Sequence, residues 1–107
     1  MKIAVLGLGA YGIALASVFY ENDNKVSMWS KFKDEVDIVK LKRENINVFP
    51  GVKIPKGIEI TDNMKECVEG AKIIVLALPM AGVRVVCKEL VNYLTDDQVL
   101  CLVTKGI

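Results

Sequence analysis

Three closely spaced glycines near the start of the chain form the pattern with the clearest chemistry. The sequence Gly7-Leu8-Gly9-Ala10-Tyr11-Gly12 has the form Gly-x-Gly-x-x-Gly, follows a short apolar run and opens a segment of helical period. In that context the pattern is typical of a loop that binds the diphosphate of a dinucleotide at the N-terminus of a helix. Gly7 would permit a tight turn, Gly9 would let the backbone approach the diphosphate, and Gly12 would let helix and strand pack closely. We therefore expect a dinucleotide site rather than glycines that serve packing alone.

The end of the next apolar run bears on which dinucleotide would bind. An acidic residue about 20 residues beyond the motif usually binds the ribose, but here the sequence is Met28-Trp29-Ser30-Lys31, with no carboxylate before Asp34. Lys31 and Lys33 could bind a 2′-phosphate, which favours NADP over strict NAD. The alternative is that both lysines are solvated at the start of a helix. Trp29 falls on a strand, so we interpret it as a packing residue rather than one that stacks on adenine.

Two further segments follow apolar runs in the second half of the chain. Pro79-Met80-Ala81-Gly82 could carry the backbone past the nicotinamide half of a cofactor, and a proline that begins a helix is the equal alternative. Lys105 follows an apolar run, is flanked by Gly106 and could hold an anionic substrate or transfer a proton. A lysine that points into water is the alternative, which composition alone favours.

These segments must be brought together by the elements that the hydrophobic pattern predicts. Apolar runs of strand length alternate with segments of helical period, in the order β-α-β-α-β-α-β-α-β. This order predicts an α/β fold, a Rossmann-type doubly wound parallel sheet with strand order 3-2-1-4-5. Strands are predicted over residues 2–6, 25–29, 58–60 (within 57–61), 72–78 and 98–103, of which the first and the last two are expected to be buried. Helices are predicted over residues 10–21, 31–43, 63–69 (with Asp62 as N-cap) and 81–94, with a long loop over 45–57.

Composition narrows the function further. The 107 residues suffice for one domain, and 14 basic against 13 acidic residues give a net charge of +1, which excludes the basic surface of a nucleic-acid-binding domain. Histidine is absent and Cys67, Cys87 and Cys101 are widely spaced, so we expect no metal. We place these cysteines in the core, as free thiols suited to a reducing cytoplasm. Residues 3–20 carry no charge, but their three glycines argue against a membrane span or export signal.

Several motifs of this chain occur together in one known family. They are Gly7-Leu8-Gly9-Ala10-Tyr11-Gly12 with residues 13–16, Trp29, Asn45-Ile46-Asn47-Val48-Phe49-Pro50-Gly51, Ile54-Pro55, Ala77-Leu78-Pro79 and Lys105-Gly106-Ile107. In this order and spacing they resemble the N-terminal part of NAD(P)-dependent glycerol-3-phosphate dehydrogenases, over nearly the whole chain. The glycine loop and Ala77-Leu78-Pro79 are shared by several reductase families, whereas the loop from residue 45 and the final Lys-Gly-Ile are more particular.

This resemblance implies an oxidoreductase that transfers a hydride between sn-glycerol 3-phosphate and dihydroxyacetone phosphate with NADP or NAD, in glycerophospholipid synthesis. It implies that Ala10 and Tyr11 contact the cofactor and that Lys31 contacts its adenosine end. It also implies that Lys105 contacts both cofactor and substrate, against the composition-based interpretation above. Departures from the family pattern at Ala10, Val48 and Met80 bear on the cofactor preference rather than on the family.

The resemblance further implies that residues 1–107 are the dinucleotide-binding domain, without the mostly helical C-terminal domain that supplies a second lysine and most contacts to the substrate phosphate. We therefore expect weak NADP(H) binding, no catalytic residue and no turnover in this chain. For the full-length protein we expect a phosphorylated small-molecule substrate, a homodimer in the cytoplasm, and neither nucleic acid nor membrane insertion. The alternatives are a ketopantoate-type reductase, which lacks the 45–55 loop in this form, and a nucleotide-sensing regulatory domain, which would place an acid where Ser30 and Lys31 stand.

Overall fold

The predicted alternation of strands and helices is present in the computed structural model, which describes residues 1–103. The strands are β1 (Lys2–Leu6), β2 (Lys25–Trp29), β3 (Glu59–Thr61), β4 (Ile73–Leu76) and β5 (Val99–Leu102). The helices are α1 (Ala10–Glu21), α2 (Lys33–Lys42), α3 (Met64–Val68) and α4 (Met80–Leu90), the last ending four residues before its predicted end. In the described part of the chain the strands form one parallel sheet in the order β3-β2-β1-β4-β5, which confirms the Rossmann-type doubly wound sheet.

Strand β1 lies inside the sheet and fixes the level at which its neighbours end. Leu6, its last residue, is in register with Trp29 of β2 and with Leu76 of β4. Because the three strands run in the same direction, the chain leaves them at one edge of the sheet. The glycine loop after β1, the segment after β2 and Ala77-Leu78-Pro79 after β4 are therefore neighbours, as ligand-binding segments of an open parallel sheet should be.

The side chains of β1 alternate between two apolar cores, one on each face of the sheet. Ile3 and Val5 join one core, while Ala4 and Leu6 join the other. Helices α1 and α2 contribute buried side chains to the first core: Ile13, Ala16, Val36 and Val39. Helices α3 and α4 contribute buried side chains to the second core: Met64, Cys67, Val68, Val86 and Leu90. Because helices cover both faces, β1 is apolar throughout after its first residue.

Helix α4 begins at Met80, one residue before its predicted start, and two other helix starts differ from the prediction for a local reason. Helix α2 begins at Lys33 rather than at residue 31, because Phe32 is still in an extended conformation. Helix α3 is capped by Asn63, whose side chain accepts a hydrogen bond of 3.0 Å from the N–H of Glu66, so the assignment of Asp62 as N-cap is wrong. Asparagine and aspartate are comparably good N-caps, and their order along the chain does not decide between them.

The long loop between α2 and β3 is held to the end of α2 by Arg43. This residue adopts a left-handed φ of 54° and ends the helix. Its Nη2 donates to the carbonyl oxygens of Pro55 and Ile58, and its own carbonyl accepts a 2.7 Å hydrogen bond from the N–H of Ile54. The loop is thus fixed at its far end, while Asn45 near its start hydrogen-bonds to Glu35 of α2.

Strand β5 contradicts the prediction of a buried strand. All four of its residues are exposed, including Val99 at 60% and Leu102 at 52%. It lies at the edge of the sheet, and β4 is its only neighbour among the described strands, so its apolar run is covered less than that of an interior strand. Cys101 belongs to this strand and is exposed as well, so its predicted place in the core is wrong.

The other cysteines lie closer to the core. Cys67 is buried, and burial raises the pKa of its thiol to about 12, which keeps it protonated and unreactive near neutral pH. Cys87 is partly buried and packs against the core beneath α3 and α4. We find no role for either as a nucleophile.

The uncharged stretch over residues 3–20 forms most of β1, the glycine loop and most of α1. Among residues 1–103, the helices all lack the length and apolar character that crossing a bilayer requires.

Candidate functional site

Two of the loop glycines are required by the fold itself. Gly7 has a φ of 130°, and a Cβ built on it would overlap the carbonyl oxygen of Ala77. A Cβ on Gly12 would lie 2.9 Å from the carbonyl oxygen of Gly7 and 3.3 Å from the Cβ of Ala77. Gly7 therefore permits both the turn and its close contact with the end of β4, and Gly12 permits the close packing of α1.

Gly9 differs from these two glycines because its surroundings are open. Its backbone is extended, and a Cβ built on it would meet no atom within 4 Å. It caps α1 without a side chain, and its carbonyl accepts the first helical hydrogen bond, of 3.0 Å, from the N–H of Ile13. Within residues 1–103, the N–H groups of Ala10, Tyr11 and Gly12 have no hydrogen-bond partner, and the first turn holds no acidic residue. The positive end of the helix thus presents free donors beside an open space.

A cleft of about 360 Å³ passes along the loop at the carboxyl edge of the sheet. The glycine loop, the segment that follows β2 and the segment that follows β4 line it: Gly7, Leu8, Gly9, Trp29, Ser30, Lys31, Phe32, Glu35, Ala77, Leu78, Pro79, Ala81, Gly82 and Val86. A second cavity of about 270 Å³ lies beside the start of α1, where Ala10, Tyr11 and Gly12 meet Ala77-Leu78-Pro79 and Val103. The two spaces share Gly9 and the end of β4. Seven of the predicted site residues, all except Lys105, therefore border one or both of these neighbouring cavities.

Lys105 lies outside the described residues, as does the whole of Thr104–Ile107. Val103, two residues earlier in the chain, borders the second cavity beside Pro79. Pro79 is the N-cap of α4, so its role as a helix-start residue is present in the structure.

The two lysines after β2 have different surroundings. Lys31 borders the cleft, with its Nζ 5.1 Å from the centre of the Phe32 ring. Lys33 instead donates to Asp37 at 3.0 Å, and this hydrogen bond, together with the charge of Asp37, raises the pKa of Lys33. Trp29 is buried and donates from Nε1 to the carbonyl oxygen of Asp62 at 3.0 Å, which supports its interpretation as a packing residue.

The cleft is also bordered by an acidic residue, Glu35, that is not among the predicted site residues. Glu35 reaches it from the first turn of α2, and its Oε1 accepts a hydrogen bond of 2.8 Å from the hydroxyl of Ser30. The spacing rule places a ribose-binding acid at the end of β2, and Glu35 lies six residues beyond that point. The signal in the sequence was its place next to Val36, which the helix buries.

Asn45 also contacts the glycine loop. No pattern in the sequence between the loop and Asn45 predicts this contact. Its side chain is buried, and its Nδ2 donates to the carbonyl oxygen of Leu8 at 2.8 Å and to Oε2 of Glu35 at 3.2 Å. Only the resemblance to a known family drew attention to the loop that begins with Asn45. The structure places that loop against the predicted diphosphate site.

The family model described as the NAD-dependent glycerol-3-phosphate dehydrogenase N-terminus matches residues 2–107. A protein of Fusobacterium nucleatum named as an NAD(P)-dependent glycerol-3-phosphate dehydrogenase is 38% identical over 107 residues, which are 100% of this chain and 32% of the relative. One of Bacillus subtilis with the same name is 36% identical over 106 residues, which are 99% of this chain and 31% of the relative. The chain thus spans about a third of the length of these relatives.

Two of the solved structures with the same arrangement of elements are glycerol-3-phosphate dehydrogenases. The crystal structure of glycerol-3-phosphate dehydrogenase from Coxiella burnetii superposes with a TM-score of 0.92 at 27% identity, over 99% of this chain and 33% of that one. A glycerol-3-phosphate dehydrogenase structure from Saccharomyces cerevisiae, 22% identical, shares the fold with a TM-score of 0.86 over 99% of this chain and 34% of that one.

Proposed function

We propose that this chain binds NAD(P)(H) for a glycerol-3-phosphate dehydrogenase. The chain belongs to the family of NAD-dependent glycerol-3-phosphate dehydrogenases. The observation that carries this proposal is the open space beside Gly9 at the carboxyl edge of a parallel sheet, where the N–H groups of Ala10, Tyr11 and Gly12 have no partner among residues 1–103. Unpaired amides at a helix N-terminus bind anions through hydrogen bonds and the helix dipole. The diphosphate of the cofactor would occupy this place, with Gly7 and Gly12 shaping the loop around it.

The adenosine end of the cofactor would lie between Lys31 and Glu35. A lysine ammonium suits the 2′-phosphate of NADP, and a carboxylate accepts hydrogen bonds from the ribose hydroxyls of NAD. Both side chains border the same cleft. We infer that the site accepts either cofactor, with Lys31 favouring the phosphorylated form.

The nicotinamide end would lie towards Pro79, with Lys105 near both the cofactor and the substrate, as the family resemblance implies. The bound cofactor supplies or accepts the hydride that interconverts dihydroxyacetone phosphate and sn-glycerol 3-phosphate. The role of this chain is to hold and orient that cofactor, while the phosphorylated substrate would be bound chiefly by the remaining two thirds of the length found in the relatives.

The wider setting follows from the same family. We propose that the whole protein acts as a homodimer in glycerophospholipid synthesis. The three cysteines of this chain are free, which supports a location in the reducing cytoplasm.

The direct test is titration of the chain with NADH and NADPH, followed by cofactor fluorescence. A Cβ built on Gly9 meets no atom within 4 Å, so we expect Gly9→Val to fold and, by placing its methyl groups in the space for the diphosphate, to weaken NADH binding at least about tenfold. Ala14→Val adds bulk at an exposed position of the same helix and should bind as the unchanged chain does. Absence of binding by the unchanged chain, or equal binding by Gly9→Val, would overturn the proposed function.

A further inference from the structure

A network of polar side chains around the buried Asn45 lies behind the glycine loop and reaches the cleft at Ser30 and Glu35. Within residues 1–103 the buried polar residues are Ser27, Ser30 and Asn45. Two of them, Ser30 and Asn45, hydrogen-bond to the same carboxylate, that of Glu35. The network joins the end of β2, the first turn of α2 and the following loop, and it ends on the carbonyl oxygen of Leu8.

The amide of Asn45 suits this position because it has two N–H donors on one nitrogen. One donates to the carbonyl oxygen of Leu8 at 2.8 Å and the other to Oε2 of Glu35 at 3.2 Å. Both partners are acceptors, so an aspartate of the same shape would face them with oxygen atoms and an added negative charge. The backbone of Asn45 is also fixed, because its carbonyl accepts a 2.8 Å hydrogen bond from the N–H of Phe49.

The hydrogen bond from Asn45 determines how one peptide unit of the loop is oriented. In a trans peptide the C=O and the following N–H point in opposite directions. With the Leu8 carbonyl held towards Asn45, the N–H of Gly9 points away from Asn45, and Gly9 borders both cavities of the site. A rotated Leu8–Gly9 peptide would instead present a carbonyl oxygen to an incoming anion.

We propose that Asn45 is a positioning residue for the cofactor diphosphate: it fixes the Leu8–Gly9 peptide so that the loop presents N–H groups rather than a carbonyl oxygen to the anion. Glu35 and Ser30 hold the Asn45 amide in the orientation that this requires. The proposal rests on the proposed function, since it concerns the same diphosphate site. It adds to that site Asn45, a residue that lies more than 30 positions from the glycine loop in sequence and that does not itself touch the cofactor.

The test compares Asn45→Asp and Asn45→Ala with two controls in the same loop. Asn47→Asp makes the same chemical change at an exposed position, and Ile54→Val removes a methyl group from a buried side chain and lowers stability without altering the network. For each variant, NADH affinity is measured by titration, and the Gly9 amide is followed in ¹⁵N–¹H spectra with and without NADH. Thermal unfolding of each variant shows whether it is folded.

We expect Asn45→Asp to weaken NADH binding at least about tenfold, because an oriented donor to a charged group is lost. Its Gly9 resonance should already be displaced before NADH is added and should respond little to NADH, while Asn45→Ala changes in the same direction. Both controls should bind NADH within about twofold of the unchanged chain.

A folded Asn45→Ala or Asn45→Asp variant that binds NADH as the unchanged chain does, with an unchanged Gly9 resonance, would overturn the positioning role and leave the proposed function standing. A loss of affinity in Ile54→Val as large as that in Asn45→Ala would also overturn it, because general destabilisation would then suffice. If the unchanged chain binds neither NADH nor NADPH, the proposed function fails and the positioning role fails with it.

Discussion

Glycine-to-alanine substitutions at Gly7 and Gly9 should change stability by very different amounts, because the surroundings of Gly7 are closed and those of Gly9 are open. In Gly7→Ala the new methyl group would overlap the carbonyl oxygen of Ala77, and the backbone would keep a φ of 130° that residues with a side chain rarely adopt. The conformational strain costs about 1–3 kcal/mol. The added volume in a packed place costs about another 1–3 kcal/mol. We therefore predict that Gly7→Ala lowers the free energy of unfolding by roughly 2–6 kcal/mol.

Gly9→Ala should behave differently because its methyl group would meet no atom within 4 Å and its backbone is extended. Replacing glycine restricts the unfolded chain and stabilises by about 0.4–1 kcal/mol. Alanine is a poorer N-cap than glycine by an amount of similar size. The two effects nearly cancel, so we predict a change of less than about 1 kcal/mol.

Urea unfolding followed by circular dichroism measures both effects. With a slope of about 1–3 kcal/mol per M for a small protein, the midpoint of Gly7→Ala should fall by about 1 M or more, whereas that of Gly9→Ala should barely move. Equal midpoints for the two variants would refute the division of roles within the loop, and so would a loss of about 2 kcal/mol in Gly9→Ala.

Four further predictions concern other parts of the molecule. Lys31→Glu should weaken NADPH binding about tenfold and NADH binding less, with a smaller difference at high salt; equal effects on both cofactors would exclude a 2′-phosphate contact. Leu76→Ala should lower the free energy of unfolding by about 2–5 kcal/mol and Leu102→Ala by less than half as much, because these paired residues are buried and exposed respectively; similar losses in urea unfolding would contradict the exposure of β5. Iodoacetamide should label Cys101 first and Cys67 only on unfolding. The pKa of the Cys67 thiol is raised to about 12 in the folded chain. The protonated thiol therefore stabilises the fold below the pKa of the unfolded thiol, and this stabilisation is lost as pH rises towards 12. Because alanine does not titrate, the urea midpoint of Cys67→Ala should fall less than that of the unchanged chain between about pH 8 and 10.

The positions of the strands followed from apolar runs and helical periods, which are local in sequence. Their parallel direction and their order followed from the strand–helix alternation together with the right-handed crossovers of a doubly wound sheet. The exposure of β5 could not be predicted in this way, since an apolar run has the same composition whether it lies inside a sheet or at its edge. The N-cap of α3 depended on side-chain geometry that distinguishes Asn63 from Asp62 only in three dimensions.

Only part of the candidate site could be predicted from the sequence. The glycine loop is local in sequence, so its place between β1 and α1 could be predicted from spacing. Glu35 and Asn45 reach the same place from α2 and from the following loop, and their approach depends on how those elements pack against β1. No spacing rule connects Asn45 to Leu8, because the contact spans 37 positions of the chain.

A crystal structure of this chain with NADH would test the central proposal most directly. We predict that the diphosphate oxygens lie within hydrogen-bond distance, about 2.7–3.2 Å, of the N–H groups of Ala10 and Tyr11, beside an unobstructed Gly9. Cofactor bound elsewhere, with the start of α1 left to solvent or closed by a side chain, would contradict it.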